Sequence, residues 1–188
     1  MSLEKGTRMR VAVRPYRPDD RAAVLAIFDG NAAHYFGEGD RGWLAETLDE
    51  PDGPAFVVTV GAQVAAFGGY EIWDHYNKAL LYWGMADRRY HGAGLGRLLL
   101  LARLLHVAEH AEPPTRYVTV DTSPMVAPFF LACGFERTAI WPQGYRSGME
   151  MHELRFDLAA TDVDRLRAAL DDAHARAEAA LGGNSRAS

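Results

Sequence analysis

The feature that most constrains this chain is a glycine-rich turn that leads from an apolar run into a strongly helical stretch. The turn reads His91-Gly92-Ala93-Gly94-Leu95-Gly96, and the leucine-rich stretch 98–104 follows it. A turn that opens into a helix aims unpaired backbone N–H groups at one point, with the positive end of the helix dipole behind them. Glycines in such a turn adopt positive φ easily and let a ligand approach the backbone. The pattern therefore predicts an anion site, most naturally for a phosphate or diphosphate.

Two common phosphate-binding motifs do not fit these residues. A nucleoside-triphosphate loop requires Gly-x-x-x-x-Gly-Lys-Ser/Thr, and the sequence contains no such string. A dinucleotide fingerprint requires Gly-x-Gly-x-x-Gly and usually opens its domain, whereas this turn lies in mid-chain and has Arg97 at the third glycine position. A tight turn that binds nothing is the remaining alternative to an anion site.

The turn resembles the acetyl-CoA loop of the GNAT superfamily of N-acetyltransferases. That family has Gln/Arg-x-x-Gly-x-Gly/Ala at a strand-to-helix turn, and the segment His91–Gly96 follows this spacing. The chain departs from the pattern at His91, which stands where the family prefers Gln or Arg. Arg88 and Arg89, immediately upstream, are the residues that could supply the positive charge instead.

A second segment resembles the later motif of the same family, in which an alanine and an aromatic pair precede Gly-Phe. Ala127, Phe129 and the pair Gly134-Phe135 match, while Phe130 stands where the family often has a tyrosine. One helix and one strand separate the two motifs, as in the family. The resemblance covers roughly residues 10–158, which we expect to form a single domain.

The resemblance implies a GNAT-like α/β fold with a mixed, mostly antiparallel sheet flanked by helices on both faces. Residue periodicity agrees, because it predicts helices alternating with strands. The predicted strands are 10–14, 55–60, 64–72, 79–86, 116–121, 135–140 and 149–158. The predicted helices are 22–28, 40–48, 95–110, 124–132 and 161–181.

Beyond the domain, residues 159–181 read as a C-terminal helix and residues 182–188 as a flexible tail. The helix carries a narrow apolar stripe that packs on the domain or, alternatively, on a partner in a homodimer. The stripe consists of Val163, Leu166, Leu170, Ala173 and Ala177.

The resemblance also implies that acetyl-CoA is the co-substrate and that three segments hold it. These are the strand before the turn, the turn itself, and the later helix with the residue preceding it. Their residues are Gly84, Met85, Ala86, Arg89, His91, Gly92, Ala93, Gly94, Leu95, Gly96, Arg97, Ser123 and Phe130. Residues 84–86 would supply backbone N–H donors to a developing oxyanion. Arg103 extends the local basic cluster, and we expect its side chain to be solvated.

Acyl transfer to an amine requires a base, because a free alkyl amine is protonated near pH 7. The resemblance points to Glu71, near the end of the hairpin's second strand, with Asp121 as the second candidate and Asp74 as the third. An exposed strand-end carboxylate without a catalytic role is the alternative for Glu71.

The general acid cannot be the residue that the family pattern suggests, because Phe130 has no hydroxyl group. Ser123, Tyr145 or solvent could take that role, and we favour Tyr145 because the loop 141–148 could fold over the site. Phe130 also raises an alternative function, in which the chain binds acyl-CoA as a non-catalytic sensor or interaction module.

The composition excludes several other classes of protein. The formal net charge is −5, so no basic surplus is available for nucleic-acid binding. The single cysteine, Cys133, excludes an internal disulfide, and we expect it to pack as a small apolar side chain, with a nucleophilic role as the alternative. No histidine spacing indicates zinc, so we expect no metal. No apolar run approaches a membrane span and residues 1–9 lack a secretory core, so we expect a cytoplasmic protein.

The acceptor is expected to be a small-molecule or peptide amine. The helices near residue 35 and the central strands are rich in aromatic side chains, which suit a hydrophobic or cationic amine. These side chains are His34, Tyr35, Phe36, Trp43, Tyr70, Trp73, Tyr76 and Trp83. We expect most of these rings to pack in the core, and packing is the favoured role for any single one. Peptide N-termini, small amines, antibiotics and amino acids all remain open as acceptors.

Overall fold

Seven strands and five α-helices make up the computed structural model, which describes residues 9–37, 39–112, 114–145 and 148–183. The strands are β1 (Val11–Pro15), β2 (Ala55–Val60), β3 (Gln63–Trp73), β4 (Lys78–Ala86), β5 (Tyr117–Thr122), β6 (Glu136–Trp141) and β7 (Met151–Asp157). The helices are α1 (Arg21–Tyr35), α2 (Asp40–Asp49), α3 (Leu95–His110), α4 (Ala127–Ala132) and α5 (Val163–Gly183).

The strands form one sheet in the order β1-β2-β3-β4-β5-β7-β6. Five of the six neighbouring pairs are antiparallel, and β4 and β5 are the parallel pair. A parallel pair needs a crossover connection, which α3 provides between β4 and β5. The predicted mixed, mostly antiparallel sheet with helices on both faces is therefore confirmed.

Each predicted strand and helix is present, but two helix boundaries differ from the prediction by more than two residues. Helix α1 continues past residue 28 to Tyr35, because the Asn31 side chain donates hydrogen bonds to the carbonyls of Ile27 and Ala86 and ties this part of the helix to the sheet. Helix α4 begins at Ala127 rather than at residue 124, because residues 124–126 form a turn closed on the Ser123 carbonyl.

Helices pack on the two faces of the sheet through separate apolar clusters. One cluster joins α3, through leucines such as Leu98 and Leu104, to the sheet and to α5. The other joins α1 and α2 to the opposite face around Phe67 and Met85. The α5 stripe lies in the first cluster, and Leu166, Ala173, Ala177 and Leu181 are buried there. Most of the predicted tail, residues 184–188, lies outside the described residues.

A partly buried ion pair, in which Asp20 is the buried member, fixes the junction between β1 and α1. The Arg14 guanidinium donates to both carboxylate oxygens of Asp20 at 2.7 Å, and the Arg17 backbone N–H donates to Asp20 at 2.9 Å. The hydrogen bonds from Arg14 lower the pKa of Asp20 below its ordinary value. Because the pKa of Asp20 is lower in the folded than in the unfolded protein, its carboxylate stabilises the fold at every pH above the unfolded-state pKa. This stabilisation is lost as the pH falls through the pKa of the folded state.

We predict that Asp20→Asn lowers the free energy of unfolding by about 2 kcal/mol at pH 7, because it removes a charge-assisted, bidentate interaction from a buried site. Asp29→Asn is the matched control, since the Asp29–Arg41 pair is exposed and pairs of that kind contribute about 0–1 kcal/mol. Urea denaturation at pH 7 and at pH 3 measures both. Equal losses for the two variants at pH 7, or a difference that does not shrink at pH 3, would contradict this assignment.

Candidate active site

The pairing between β4 and β5 stops partway along both strands. Residues Lys78–Leu81 of β4 pair with Tyr117–Val120 of β5, and Leu81↔Val120 is the last pair. Beyond it, β4 continues to Ala86 beside β3 only, while β5 continues to Thr122 beside β7. The two strands therefore part, and one edge of β4 faces an opening in the sheet.

A β-bulge interrupts β4 along this unpaired segment. Phe67 pairs with Met85 and Gly69 pairs with Tyr82, so that Trp83 and Gly84 together stand opposite a single residue of β3. Trp83 has a φ of 49°, a conformation that side-chain-bearing residues rarely adopt. A bulge rotates the backbone locally, so the ladder no longer uses every N–H group of the segment. The segment that includes the predicted residues Gly84, Met85 and Ala86 is thus irregular and borders the opening.

The glycine turn follows β4 directly and ends in the α3 N-terminus. Gly92 and Gly94 have φ values of 82° and 84°, and no heavy atom beyond the adjacent residues lies within 4 Å of where a side chain would begin at either residue. The first helical hydrogen bond of α3 runs from the Leu98 N–H to the Gly94 carbonyl at 3.0 Å. The N–H groups of residues 95–97 therefore precede the helical ladder and are available to an anion.

The predicted polar residues of the turn are exposed, and some make local contacts. Arg89 forms an ion pair of 2.6 Å with Asp87, whose carboxylate also accepts a hydrogen bond from the Arg89 N–H. The His91 imidazole Nε2 lies 3.1 Å from the Ala86 carbonyl. Arg97 points toward Cys133, with 3.6 Å between the guanidinium and the sulfur. Arg88, Arg89 and Arg97 are all exposed around the turn, and Asp87 balances the charge of Arg89.

The later motif forms α4 and buries Ala127, Phe130 and Phe135 in the core, whereas Phe129 and Leu131 are exposed. Phe130 is buried against Phe129 and Phe135, with ring centroids 5.1 Å and 5.3 Å away. Burial raises the pKa of the Cys133 thiol, which disfavours the thiolate that a nucleophile requires. The Ser123 carbonyl accepts hydrogen bonds from the N–H groups of Val126 and Ala127 and so starts the turn into the helix.

The candidate bases lie on the sheet face opposite α3. The neighbours of Glu71 on its strand, Tyr70 and Ile72, pack in the cluster around α3, so the alternation of side chains places Glu71 on the other face. The same argument applies to Asp121, which lies between Val120 and Thr122. Strand β4 lies between the two carboxylates.

Asp121 is an exposed carboxylate whose surroundings favour its protonated form. Partial desolvation and the neighbouring Glu153 carboxylate raise the pKa of Asp121 above its ordinary value. Burial, together with the charges of Asp121 and Asp40, raises the pKa of Tyr145 to about 12. The structure therefore brings Asp121 and Tyr145 into one electrostatic neighbourhood. Asp74 lies beyond the end of β3, in an exposed turn.

Some of the predicted aromatic side chains form a cluster above the bulge. The Trp83 ring contacts Phe28, Phe36 and Trp43 at centroid distances of 6.2, 6.0 and 5.0 Å. Its indole N–H donates to the Thr47 hydroxyl at 3.2 Å. Trp43 remains 62% exposed and borders this side of the sheet.

The other predicted aromatic residues lie elsewhere. Tyr70 faces α3, where its hydroxyl lies 2.7 Å from His106 Nδ1, so it belongs to the core, as expected for most of these rings. Trp73 and Tyr76 contact the ammonium group of Lys78 at the far end of β4. His34 and Tyr35 contact each other at the end of α1.

The prediction that Arg103 is solvated was also wrong. Its side chain is buried, with 2% of the residue exposed, and lies between α3 and the bulge. The guanidinium donates to the backbone carbonyls of Gly69 at 3.2 Å and Tyr82 at 3.4 Å. The helical periodicity of α3 places residue 103 on the same face as Leu99 and Leu100, which is why it lies inside the protein.

In the part of the chain that the structure describes, no group of three or more His, Cys, Asp or Glu side chains is placed to hold a metal ion. No helix in the same ranges combines the length and apolar character that crossing a membrane requires.

Comparisons by sequence find no matching family model and no matching curated protein. Comparisons by structure find acetyltransferases. A protein of Desulfovibrio desulfuricans assigned to the GNAT family of acetyltransferases superposes with a TM-score of 0.66 at 23% identity, covering 79% of this chain and 99% of its own. The ribosomal-protein-S18-alanine N-acetyltransferase of Escherichia coli superposes with a TM-score of 0.64 at 17% identity, covering 81% and 96%.

A third similar structure contains a bound ligand. The protein yncA of Salmonella typhimurium, assigned as an acetyltransferase and solved with its cofactor acetyl-CoA, superposes with a TM-score of 0.60 at 18% identity and covers 80% of this chain and 95% of its own. All three similarities extend over most of both chains. The chain described above, with its parted strands and glycine turn, has the fold of the GNAT acetyltransferases.

Proposed function

We propose that this protein is an N-acetyltransferase that moves an acetyl group from acetyl-CoA directly to a primary amine. The observation that carries the proposal is the continuity of the bulged, unpaired edge of β4 with the glycine turn and the α3 N-terminus. One elongated ligand could then meet backbone donors along β4 and its anionic groups could meet those of residues 92–97. The acetyl-CoA bound to a protein of the same fold supports this choice of ligand.

The residues of the turn fit a diphosphate in both charge and space. The open surroundings of Gly92 and Gly94 leave room for phosphate oxygens next to the backbone. Free N–H groups at the start of the 16-residue α3 and the exposed cation Arg97 favour an anion there. We assign the remaining predicted contacts, from Gly84, Met85 and Ala86, to the pantetheine arm and the thioester.

The reaction consumes a protonated amine and releases a proton. The base removes one proton from R–NH₃⁺, the nitrogen lone pair attacks the thioester carbon, and the carbonyl electron pair moves to oxygen. When the tetrahedral intermediate collapses, the carbonyl re-forms and the C–S bond breaks. The nitrogen gives up its second proton to solvent, and the departing thiolate takes up one proton from solvent. The products are the amide, coenzyme A thiol and the H⁺ that the base first removed. Backbone N–H groups at the bulge would stabilise the transient oxyanion. Asp121 or Glu71 would receive the amine proton directly or through water.

Tyr145 is the proposed partner of the leaving thiolate. With a pKa of about 12, its hydroxyl stays protonated and can donate a hydrogen bond at neutral pH. Complete proton transfer to the sulfur is not required, because a thiol has a pKa of about 8.5 and its thiolate leaves readily. Tyr145 therefore acts mainly as a hydrogen-bond donor in this scheme.

The experiment that tests the function is a thiol-release assay with acetyl-CoA and a panel of amines. The panel contains a polyamine, a peptide with N-terminal alanine, an aromatic amine and free amino acids. We expect release of coenzyme A to depend on one class of amine, and mass spectrometry to show that the acceptor gains one acetyl group. Failure of acetyl-CoA to bind would contradict the proposal at its first step.

A second candidate function is an acyl-CoA sensor without turnover. The observation that favours it is Phe130, which is buried and offers no hydroxyl where the resembling family often has a tyrosine. Saturable binding of acetyl-CoA without thiol release on any amine of the panel would support this sensor function over the transferase.

We predict that Gly94→Asp weakens binding of coenzyme A by at least about 30-fold, or about 2 kcal/mol, because it places a carboxylate beside the phosphate site. Gly94→Asn is the matched control: it imposes nearly the same strain at positive φ but adds no charge. Titration calorimetry measures both affinities. Equal losses in the two variants would show that strain alone matters, and unchanged affinity of the folded Asp variant would exclude the turn from binding.

We predict that replacing the true base by its amide lowers kcat about 100-fold. If Asp121 is the base, Asp121→Asn has this effect. Activity of the wild type should then rise with pH through the raised pKa of Asp121, and Glu153→Gln should shift this rise to lower pH by removing a neighbouring negative charge.

If Glu71 is the base, Glu71→Gln produces the loss, and Glu153→Gln leaves the pH profile essentially unchanged. The pH dependence of kcat/KM in these three variants separates the two assignments. Full activity in both amide variants would contradict catalysis by either carboxylate.

A further inference from the structure

Arg103 is a buried cation for which no carboxylate partner exists among the described residues. None of the ion pairs in these ranges includes it, and its described hydrogen bonds run to backbone carbonyls: those of Leu99, Gly69 and Tyr82. Burial lowers the pKa of Arg103 to about 10, so the guanidinium is still charged at neutral pH. A buried cation without a counter-charge is costly, and an apolar side chain would fill the same space without that cost.

Two glycines make room for this guanidinium next to the bulge. A side chain at Gly68 would begin 2.9 Å from Arg103 Nη1, and one at Gly84 would begin 3.2 Å from Arg103 Nη2. Both contacts are closer than a carbon atom normally approaches its neighbours. Gly84 is itself part of the irregular β4 segment that borders the opening. Because Gly84 has no side chain, the guanidinium lies directly against the backbone of that segment.

The hydrogen bonds of Arg103 are concentrated where the β3–β4 ladder is irregular. Gly69 and Tyr82 are register partners immediately before the bulge, and one guanidinium nitrogen, Nη1, donates to the carbonyls of both. The next residue, Trp83, has its strained positive φ. Conformations of this kind cost about 1–3 kcal/mol and persist only where the surroundings enforce them. Arg103 is well placed to enforce this one.

We propose that Arg103 is a positioning residue for acetyl transfer: it holds the β4 bulge in shape, and its buried charge increases the polarisation of the thioester carbonyl at Gly84. This inference rests on the proposed function. The unpaired cation gains a counter-charge when the carbonyl oxygen becomes an oxyanion, so its contribution is larger in the transition state than in the ground state. Interactions of that kind raise kcat rather than affinity.

The test compares Arg103→Met and Arg103→Lys with two controls. Leu104→Ala changes the buried residue next to Arg103 in the sequence and destabilises α3 by opening a cavity in the core. Arg176→Met removes one exposed positive charge from α5. For Arg103→Met we expect kcat to fall about 100-fold, with the KM for acetyl-CoA and the affinity for coenzyme A changed by less than about threefold. Arg103→Lys should retain part of kcat, and both controls should retain nearly all of it.

A spectroscopic measurement separates this role from stability and does not need turnover. In the wild type, the infrared carbonyl stretch of bound [1-¹³C]acetyl-CoA should lie at a lower frequency than in water. In Arg103→Met, this frequency should rise most of the way back to its value in water. If the Met variant does not fold, Arg103→Lys supplies the same comparison with a smaller displacement.

The outcomes are distinct. A wild type that does not bind acetyl-CoA overturns the proposed function and the inference with it. The inference alone is overturned by a different pair of results. The wild type binds acetyl-CoA and shifts its carbonyl stretch, but folded Arg103 variants show the same stretch and the same kcat as the wild type. A fall in kcat that Leu104→Ala reproduces at equal loss of stability also overturns it.

Discussion

The structure depends on the departure of β4 from regular sheet pairing. The strand leaves β5 after Leu81 and bulges against β3 at Trp83 and Gly84. An unpaired strand edge in the middle of a sheet leaves backbone groups without ladder partners, which is costly unless another group or a ligand satisfies them. The same strand then delivers the chain to the glycine turn and the α3 N-terminus. One irregularity thus determines where donors for a long, anionic ligand can collect.

The two faces of the sheet carry different groups of the candidate site. On one face, α3 supplies the core leucines, the free N–H groups at its start and the buried guanidinium of Arg103. On the other face lie Glu71, Asp121 and Tyr145, and the Trp83 ring closes one side by packing against α1 and α2. In the proposed direct transfer, no covalent intermediate forms on the protein. The raised pKa of Cys133 agrees with that view.

The sequence predicted the order of elements, the glycine turn and α3 with its bounds, because periodicity and glycine spacing act locally. It did not predict the burial of a side chain or the conformation of a backbone segment where these depend on tertiary packing. Arg103 looked like a surface arginine because its type is usually solvated, yet its neighbours Leu99, Leu100 and Leu104 define a buried face, and Gly68 and Gly84 leave the space it needs. The left-handed Trp83 has no local signature, since the bulge arises from the pairing of β3 with β4. The roles of the predicted site residues have no local signature either, because they consist of contacts with a ligand that is not part of the sequence.

Amide NMR of this 188-residue chain during titration with coenzyme A tests the central claim most directly. We expect the largest shifts at residues 92–97 and 83–86, with the amide protons of residues 95–97 moving downfield as they donate to phosphate oxygens. Shifts confined to other parts of the chain, or none at millimolar coenzyme A, would contradict the assignment of the parted strands and the glycine turn as the binding site.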